Sequence, residues 1–193
     1  MNEERIAEFS NEIIFLKYIE FYFENGQENR IRMNIRKSKE NIKKTKVCLV
    51  GSSGGHLTHL YMLKPFWQDK ERVWVTFDKE DARSILNGEK MYPCYFPTNR
   101  NVKNLIRNVF VAWKVLIKEK PDLIISSGAA VAVPFFYIGK LMGIKLIYIE
   151  VFDRIDKPTI TGKMVYPITD KFIVQWEEQK KVYPKAINLG SIF

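Results

Sequence analysis

From Lys46 onward, short apolar runs alternate with stretches of helical periodicity. Val47-Cys48-Leu49-Val50, Val73 to Phe77, Leu123-Ile124-Ile125, Lys145 to Ile149 and Phe172-Ile173-Val174 read as strands, with Tyr92 to Phe96 a weaker one because Pro93 interrupts it. Helices are predicted from about Gly55 to Lys64, ended by Pro65, and from Asp81 to Leu86. A long helix follows from Asn101 to Lys120, with Leu105, Val109, Ala112, Val115 and Leu116 on one side and Pro121 closing it; another runs from Ala130 to Met142 and ends at Gly143. Strands alternating with helices imply βαβ units and a mainly parallel sheet, an α/β doubly wound, Rossmann-like domain. Ligands of such sheets bind at the carboxyl ends of the strands, here Gly51 to His56, Phe77-Asp78, Ser126 to Ala130 and Glu150 to Arg154.

The first 45 residues differ from the body that spans 46–193. Residues 6 to 23 mix Ile6, Phe9, Ile13, Ile14, Leu16 and further apolar positions with Glu8, Glu12, Lys17 and Glu20, a pattern nearer helical than alternating. A polar run then carries Arg30, Arg32, Arg36, Lys37, Lys39, Lys43, Lys44 and Lys46 against Glu40. Two readings fit: an amphipathic helix docked on protein and followed by a solvated linker, or an interfacial membrane helix beside a polybasic stretch.

Composition narrows the classes. With 46% hydrophobic and 13% aromatic residues, disorder and fibrous architectures are excluded, and 193 residues suffice to bury a core without staples. Two cysteines, Cys48 and Cys94, make no disulfide scaffold, which favours a reduced, intracellular protein. No stretch reaches the ~18 consecutive apolar residues of a spanning helix, and the N-terminus lacks the pattern of a secretory signal. The net charge of +9 points to anionic partners. Nucleic acid is not expected among them, because Phe66, Trp67, Trp74, Trp113, Phe135, Phe136, Tyr137 and Trp176 lie mostly in apolar-periodic segments that suit a core or protein interface. Lys103, Arg107, Lys114 and Lys118 place a basic surface on the long helix, either solvated or in touch with anionic lipid.

Two turns carry candidate chemistry. Gly51-Ser52-Ser53-Gly54-Gly55-His56 joins the first strand to a helix, where glycines permit close approach and free N–H groups favour an anion. It lacks the Lys-Ser/Thr of a nucleoside-triphosphate loop and the glycine spacing of the dinucleotide fingerprint, so both readings weaken; a tight turn without ligand stays open. His56 faces the crevice and suits a base for a hydroxyl nucleophile, while His59 suits packing or capping. No carboxylate or cysteine companions make the two histidines a metal site, and neither metal nor cofactor is expected. Ser126-Ser127-Gly128-Ala129-Ala130 repeats the small-residue logic, for a ligand or for tight helix packing. Glu150 ends an apolar strand, where a buried carboxylate needs a partner; Arg154 and Lys157 are candidates for a structural ion pair.

Taken together, Gly51 to His56, Pro121 to Ala129, Thr161-Gly-Lys-Met-Val-Tyr-Pro167, Val174-Gln-Trp-Glu177, and Tyr183-Pro-Lys-Ala186 with Leu189-Gly190 resemble the acceptor-side, membrane-associating subunit of split glycosyltransferases. That family includes bacterial capsular and exopolysaccharide subunits called β-1,4-galactosyltransferase enhancers, and the anchoring subunit of the dolichol-pathway N-acetylglucosaminyltransferase. The resemblance covers about residues 46 to 193. It implies the N-terminal half of a GT-B fold, which holds a lipid-linked acceptor while a second domain binds most of the nucleotide sugar. Because the chain stops at Phe193, a catalytic partner chain is expected to supply that domain, with little activity from this chain alone. The family's usual hydrophobic N-terminal anchor is not visible, and residues 1 to 46 stand in its place.

The resemblance assigns Gly54, Gly55 and His56 to a turn beside the acceptor and donor phosphates, His56 as candidate base, Glu150 a role near the acceptor, and Ser127, Gly128 and Ala129 to the crevice. Catalytic roles are thus expected for His56 and Glu150, and substrate binding for Gly51, Ser52, Ser53, Gly54, Gly55, Ser127, Gly128, Ala129 and Arg154. The implied activity is transfer of a sugar, galactose from UDP-galactose, onto an undecaprenyl-linked saccharide in capsule or exopolysaccharide synthesis. It would take place on the anionic cytoplasmic face of the cell membrane, with this chain attached peripherally. The alternative is an adaptor that recruits the catalytic chain without a chemical role.

Overall fold

The computed structural model describes residues 45–98 and 101–190; the helix expected at residues 6 to 23 and the basic run up to Lys44 lie outside them. Seven strands form one sheet: β1 (Lys46–Val50), β2 (Glu71–Phe77), β3 (Met91–Cys94), β4 (Leu123–Ser126), β5 (Lys145–Ile149), β6 (Lys171–Val174) and β7 (Ile187–Asn188). Their order is β3-β2-β1-β4-β5-β6-β7 and every pairing is parallel. The direction of winding reverses between β1 and β4, which makes their carboxyl ends the topological switch point.

Alternation along each strand sorts side chains to the two faces. Val47 and Leu49 of β1, Leu123 and Ile125 of β4, and Ile147 and Ile149 of β5 pack under α1 (Gly55–Met62), α2 (Lys64–Trp67) and α3 (Glu80–Ile85). Cys48, Val50, Ile124, Leu146 and Tyr148 pack under α4 (Val102–Glu119), α5 (Ala132–Leu141) and α6 (Ile160–Val165). Both cysteines are free and buried, and burial pushes the Cys94 thiol up to about 12.

The expected strands form, with β3 shortened to Met91–Cys94; Pro93 is tolerated because β3 is an edge strand. Pro65 does not simply end the first helix. It sits in the first turn of α2, where its missing N–H costs nothing. The motif that opens at Thr161 lies mostly in the short helix α6, capped by Thr159, whose hydroxyl accepts from the Gly162 N–H.

The largest departure concerns α4. Its inward face is Asn104, Asn108, Ala112, Val115, Leu116 and Glu119, whereas Val109 is exposed and Leu105 half-buried. The polar residues turn inward because each has a specific partner. Asn108 accepts from the Tyr95 N–H and donates to the Tyr95 carbonyl at 2.9 and 3.0 Å, and Asn104 donates to the Pro97 carbonyl. The rotation leaves Trp113 exposed, while Phe66, Trp67, Trp74, Phe135 and Phe136 are core residues as expected.

Glu119, buried at the amino ends of the strands, accepts from Lys46 at 2.7 Å, from Lys90 at 2.8 Å and from the Tyr92 hydroxyl. Burial alone raises its pKa, but these donors outweigh that and hold it down at about 2. A depressed carboxylate contributes stability that is fully present above its ordinary value of 4.5 and is lost as pH falls from there toward about 2. Glu119→Gln is therefore expected to flatten the acid dependence of unfolding free energy across that window. Urea denaturation at a series of pH values measures it, and unchanged curves would refute the assignment.

Candidate functional site

At the switch point the two small-residue turns meet and fasten to each other. The His56 Nδ1 lies 2.9 Å from the Ser127 carbonyl oxygen, and the Ser127 hydroxyl donates to the His56 carbonyl at 2.8 Å. A carbonyl only accepts, so Nδ1 carries the hydrogen and Nε2 is left as the basic nitrogen. Burial pushes the His56 pKa below its ordinary value, partly offset by the Ser127 contact and by Asp153, which keeps the ring neutral at physiological pH. A neutral, tautomerically fixed imidazole is the form a proton acceptor needs.

The glycines explain how the turns come this close. Gly54, at φ 78°, precedes α1 and turns its N–H to the Asp81 carboxylate at 2.7 Å. Gly128 adopts φ 126°, and a Cβ there would stand 2.7 Å from His56 Cε1 and 3.0 Å from the Tyr148 hydroxyl. Ala129 also takes a left-handed backbone, φ 65°, which costs about 1 kcal/mol and is held by the first turn of the following helix, where the Ala132 N–H bonds the Ala129 carbonyl. Gly128→Ala combines a forbidden backbone with a clash against His56. It is expected to lower stability by about 1–3 kcal/mol and displace the imidazole. Chemical denaturation and 15N shifts of the His56 ring report the two effects, and a variant matching the parent in both would show that the clearance is not needed.

A cleft of about 560 Å³ opens over this junction, lined by Gly55, His56, His59, Val151, Phe152, Asp153, Arg154 and Thr159. Of the residues to which the sequence reading gave a catalytic or binding role, Gly55, His56 and Arg154 line it. Gly51 to Gly54 form the turn beside it; after β4, Ser127 bonds the His56 ring, Gly128 leaves room for it, and Ala129 continues that turn. His59 is buried, and burial together with His56 lowers its pKa to about 4. Among the described residues, no group of three His, Cys, Asp or Glu side chains is placed to hold a metal ion.

Glu150 lies below the lining and is fully buried. Neither Arg154 nor Lys157 pairs with it. Its carboxylate accepts from the Thr159 hydroxyl at 2.9 Å, the Tyr183 hydroxyl at 2.9 Å and the Val151 N–H at 3.2 Å. Its carbonyl accepts from Gln175 at 3.0 Å. Burial raises its pKa in spite of these bonds. Hydroxyl donors, not a cation, satisfy this carboxylate and tie the 151–159 loop to the segment carrying Tyr183, while the Glu150 N–H bonds the Ile173 carbonyl of β6. Residues to which the sequence reading gave no role, Phe152, Asp153 and Thr159 in the lining and Tyr183 behind it, complete the arrangement. Trp176 fixes the loop further by donating to the Phe152 carbonyl at 2.7 Å and packing on the Phe152 ring. The signals for these residues were that Phe152 and Asp153 follow a strand end, in Glu150 to Arg154, and that Thr161, Val174 and Tyr183 open motifs of the resemblance.

Fold and switch-point crevice define a class: a Rossmann-like α/β unit matching the N-terminal half of GT-B glycosyltransferases. Among solved structures, the chain superposes on MurG from Acinetobacter baumannii with a TM-score of 0.59 and 15% identity, over 69% of this chain and 42% of that one. For UDP-N-acetylglucosamine 2-epimerase from Rickettsia bellii the TM-score is 0.58 with 19% identity, over 77% of this chain and 45% of that one. The chain thus spans under half the length of these proteins, with which it shares the fold. Within that class, the chain belongs to the Alg14-like family of oligosaccharide biosynthesis proteins, whose family profile matches residues 47–192. Relatives include the UDP-N-acetylglucosamine transferase subunit ALG14 of Homo sapiens, 26% identical over 76% of this chain and 82% of the human one. The Rattus norvegicus subunit is 30% identical over 75% and 81%, and that of Candida albicans 26% identical over 83% and 84%.

Proposed function

We propose that this chain is the accessory, acceptor-binding subunit of a two-chain glycosyltransferase that extends a lipid-linked saccharide at the anionic cytoplasmic face of a membrane. The observation that carries the reading is the fastening of His56 to Ser127, which leaves a neutral Nε2 on a cleft beside a glycine turn and a helix start. The printed names of the relatives, each a transferase subunit, support a catalytic partner chain.

In this reading the acceptor hydroxyl gives its proton to His56 Nε2 as its oxygen attacks the anomeric carbon. The bond from that carbon to the departing UDP oxygen breaks with inversion, and UDP leaves with the electron pair. The N–H groups at the start of α1 and the Arg154 guanidinium at the cleft favour phosphate charge. The 151–159 loop, tied down through Glu150, holds Arg154 in place.

Two donors are in contention. The relatives' names favour UDP-N-acetylglucosamine. The motif resemblance favours UDP-galactose and an undecaprenyl-linked acceptor in capsule or exopolysaccharide synthesis. Transfer of radiolabelled sugar from each donor to membrane-bound lipid-linked acceptor decides between them, assayed with this chain alone, a candidate catalytic chain alone, and both. Transfer that needs both chains is expected. Full transfer by this chain alone would overturn the subunit assignment.

A purely recruiting adaptor is the second reading. Its supporting observation is that Glu150 is fully occupied by internal hydrogen bonds and stays out of the cleft lining.

A further inference from the structure

The two helical layers differ in what they show to solvent. Among the described residues, no large hydrophobic side chain of α1, α2 or α3 is exposed. The opposite layer exposes many, and α4 carries the densest set: Val102, Ile106, Val109, Phe110, Trp113 and Ile117. Phe110 and Trp113 are 64% and 53% exposed, and on the same side of the sheet Leu141 and Ile160 reach 86% and 80%. The spacing of the α4 residues places them on one helical face, opposite the buried Asn104–Asn108–Ala112 side. An apolar face of this size facing water marks a docking surface.

Charge identifies the occupant. Between Val102 and Lys118 the helix has Lys103, Arg107, Lys114 and Lys118, all exposed, and no acidic residue. Apolar side chains including a Trp and a Phe, interleaved with cations and free of carboxylates, suit the headgroup–acyl boundary of an anionic bilayer: apolar groups enter the acyl region while lysines and arginines meet lipid phosphates. A helix built to dock on another protein by burial would not need uniformly positive interleaving. No helix among the described residues is long and apolar enough to cross a membrane.

We infer that α4 is the membrane-docking surface, lying on an anionic bilayer with Phe110 and Trp113 inserted. The inference assigns a surface to the membrane association proposed above and rests on it. Of the two lipid contacts that the sequence suggested, the helix in residues 6 to 23 and the basic surface of the long helix, it assigns the second.

The test uses the full chain and vesicles of phosphatidylcholine with or without about 30% phosphatidylserine. Because Cys48 and Cys94 are buried, a cysteine introduced at Ile106 is labelled selectively with an environment-sensitive fluorophore, and one at Gln68, exposed on the opposite layer, serves as control. The Ile106 label is expected to brighten and shift blue with anionic vesicles, and the Gln68 label to stay unchanged. In sedimentation, Phe110→Glu with Trp113→Glu is expected to weaken vesicle binding at least about tenfold. Each neutralisation, Lys103→Gln or Lys114→Gln, is expected to cost about fivefold. All four positions are solvent-exposed, and circular dichroism confirms that the variants fold.

An Ile106 label that stays unchanged while the protein still pellets with vesicles would place the contact elsewhere, residues 1–44 included, and overturn the inference. A label already shielded in buffer would do the same, since another part of the chain or a second copy would then cover α4. Vesicle binding needs neither partner chain nor sugar donor. Its failure leaves the transferase reading standing, and failure of sugar transfer leaves this one.

Discussion

His56→Ala is expected to reduce sugar transfer by the reconstituted pair by about 10²–10⁴-fold, the usual contribution of a positioned general base. The ring's tautomer is fixed by the Ser127 carbonyl, so the loss should appear in the chemical step while complex formation persists. The sign of the pH dependence follows from the shift. Burial lowers the His56 pKa, so the basic form survives to a lower pH than in a free imidazole, and the acid limb of kcat/KM should fall below 6.5. Removing the imidazole should abolish that limb. The measurement is the pH profile of parent and variant with the partner present at saturating concentration. An intact complex that retains parental activity after His56→Ala would leave the chain an adaptor and remove the chemical role.

Glu150→Ala is expected to lower stability by about 2–4 kcal/mol, because it strands the Tyr183 hydroxyl and the Val151 N–H in a buried site and releases the 151–159 loop. Glu150→Gln should cost much less. The carboxyl pKa is raised, so the site penalises the charge relative to the unfolded chain, and an uncharged isostere forgoes only part of the hydrogen bonding. The same shift sets the sign of the linkage: for a carboxyl raised above its ordinary 4.5, stability increases as pH falls from above the folded value toward 4.5. Urea unfolding of the parent and both variants across that range measures it. Equal losses for Ala and Gln would mean that the charge itself is required. A Gln variant that folds normally but transfers no sugar would give the carboxylate a part in the chemistry.

Which features were legible in the sequence depended on how far each is determined locally. Strands buried on both faces, such as Leu123 to Ile125 and Lys145 to Ile149, announce themselves as continuous apolar runs, and they placed both glycine-rich turns at strand ends correctly. The short helix α6 did not. Ile160–Val165 contains Thr161 and Gly162, poor helix formers, and it forms because Thr159 caps it while Glu150 and Tyr183 hold Thr159 from elsewhere in the chain. In α4, periodicity located the helix and the buried Ala112, Val115 and Leu116, but a search for an apolar stripe put Leu105 and Val109 beside them in place of Asn104 and Asn108. Asn104 and Asn108 point inward to bind the backbone of residues 95 and 97, a demand set by the path of another loop. At the site, His56 and Ser127 stood out individually, yet their contact spans 71 positions and becomes visible only once β1 and β4 are neighbours. For Glu150 the sequence offered Arg154 and Lys157 as candidate partners, but hydroxyls satisfy it because Thr159 and Tyr183 converge on it through the fold.

The direction of α4 has a consequence for how substrate arrives. The helix starts at the strand ends that carry the cleft and runs back along the sheet for 18 residues, about 27 Å. A flat boundary resting on its outer face therefore runs alongside the sheet, whereas the cleft opens at the carboxyl ends of the strands, lined by α1 of the opposite layer and by the 151–159 loop. A molecule tethered in that plane drifts along it in two dimensions and then has to extend past the carboxyl ends of the strands to meet His56. Its encounter rate is governed by areal density and lateral drift, whereas a ligand dissolved in bulk arrives from the open side. One face of the molecule thus separates two supply routes that meet at a single imidazole.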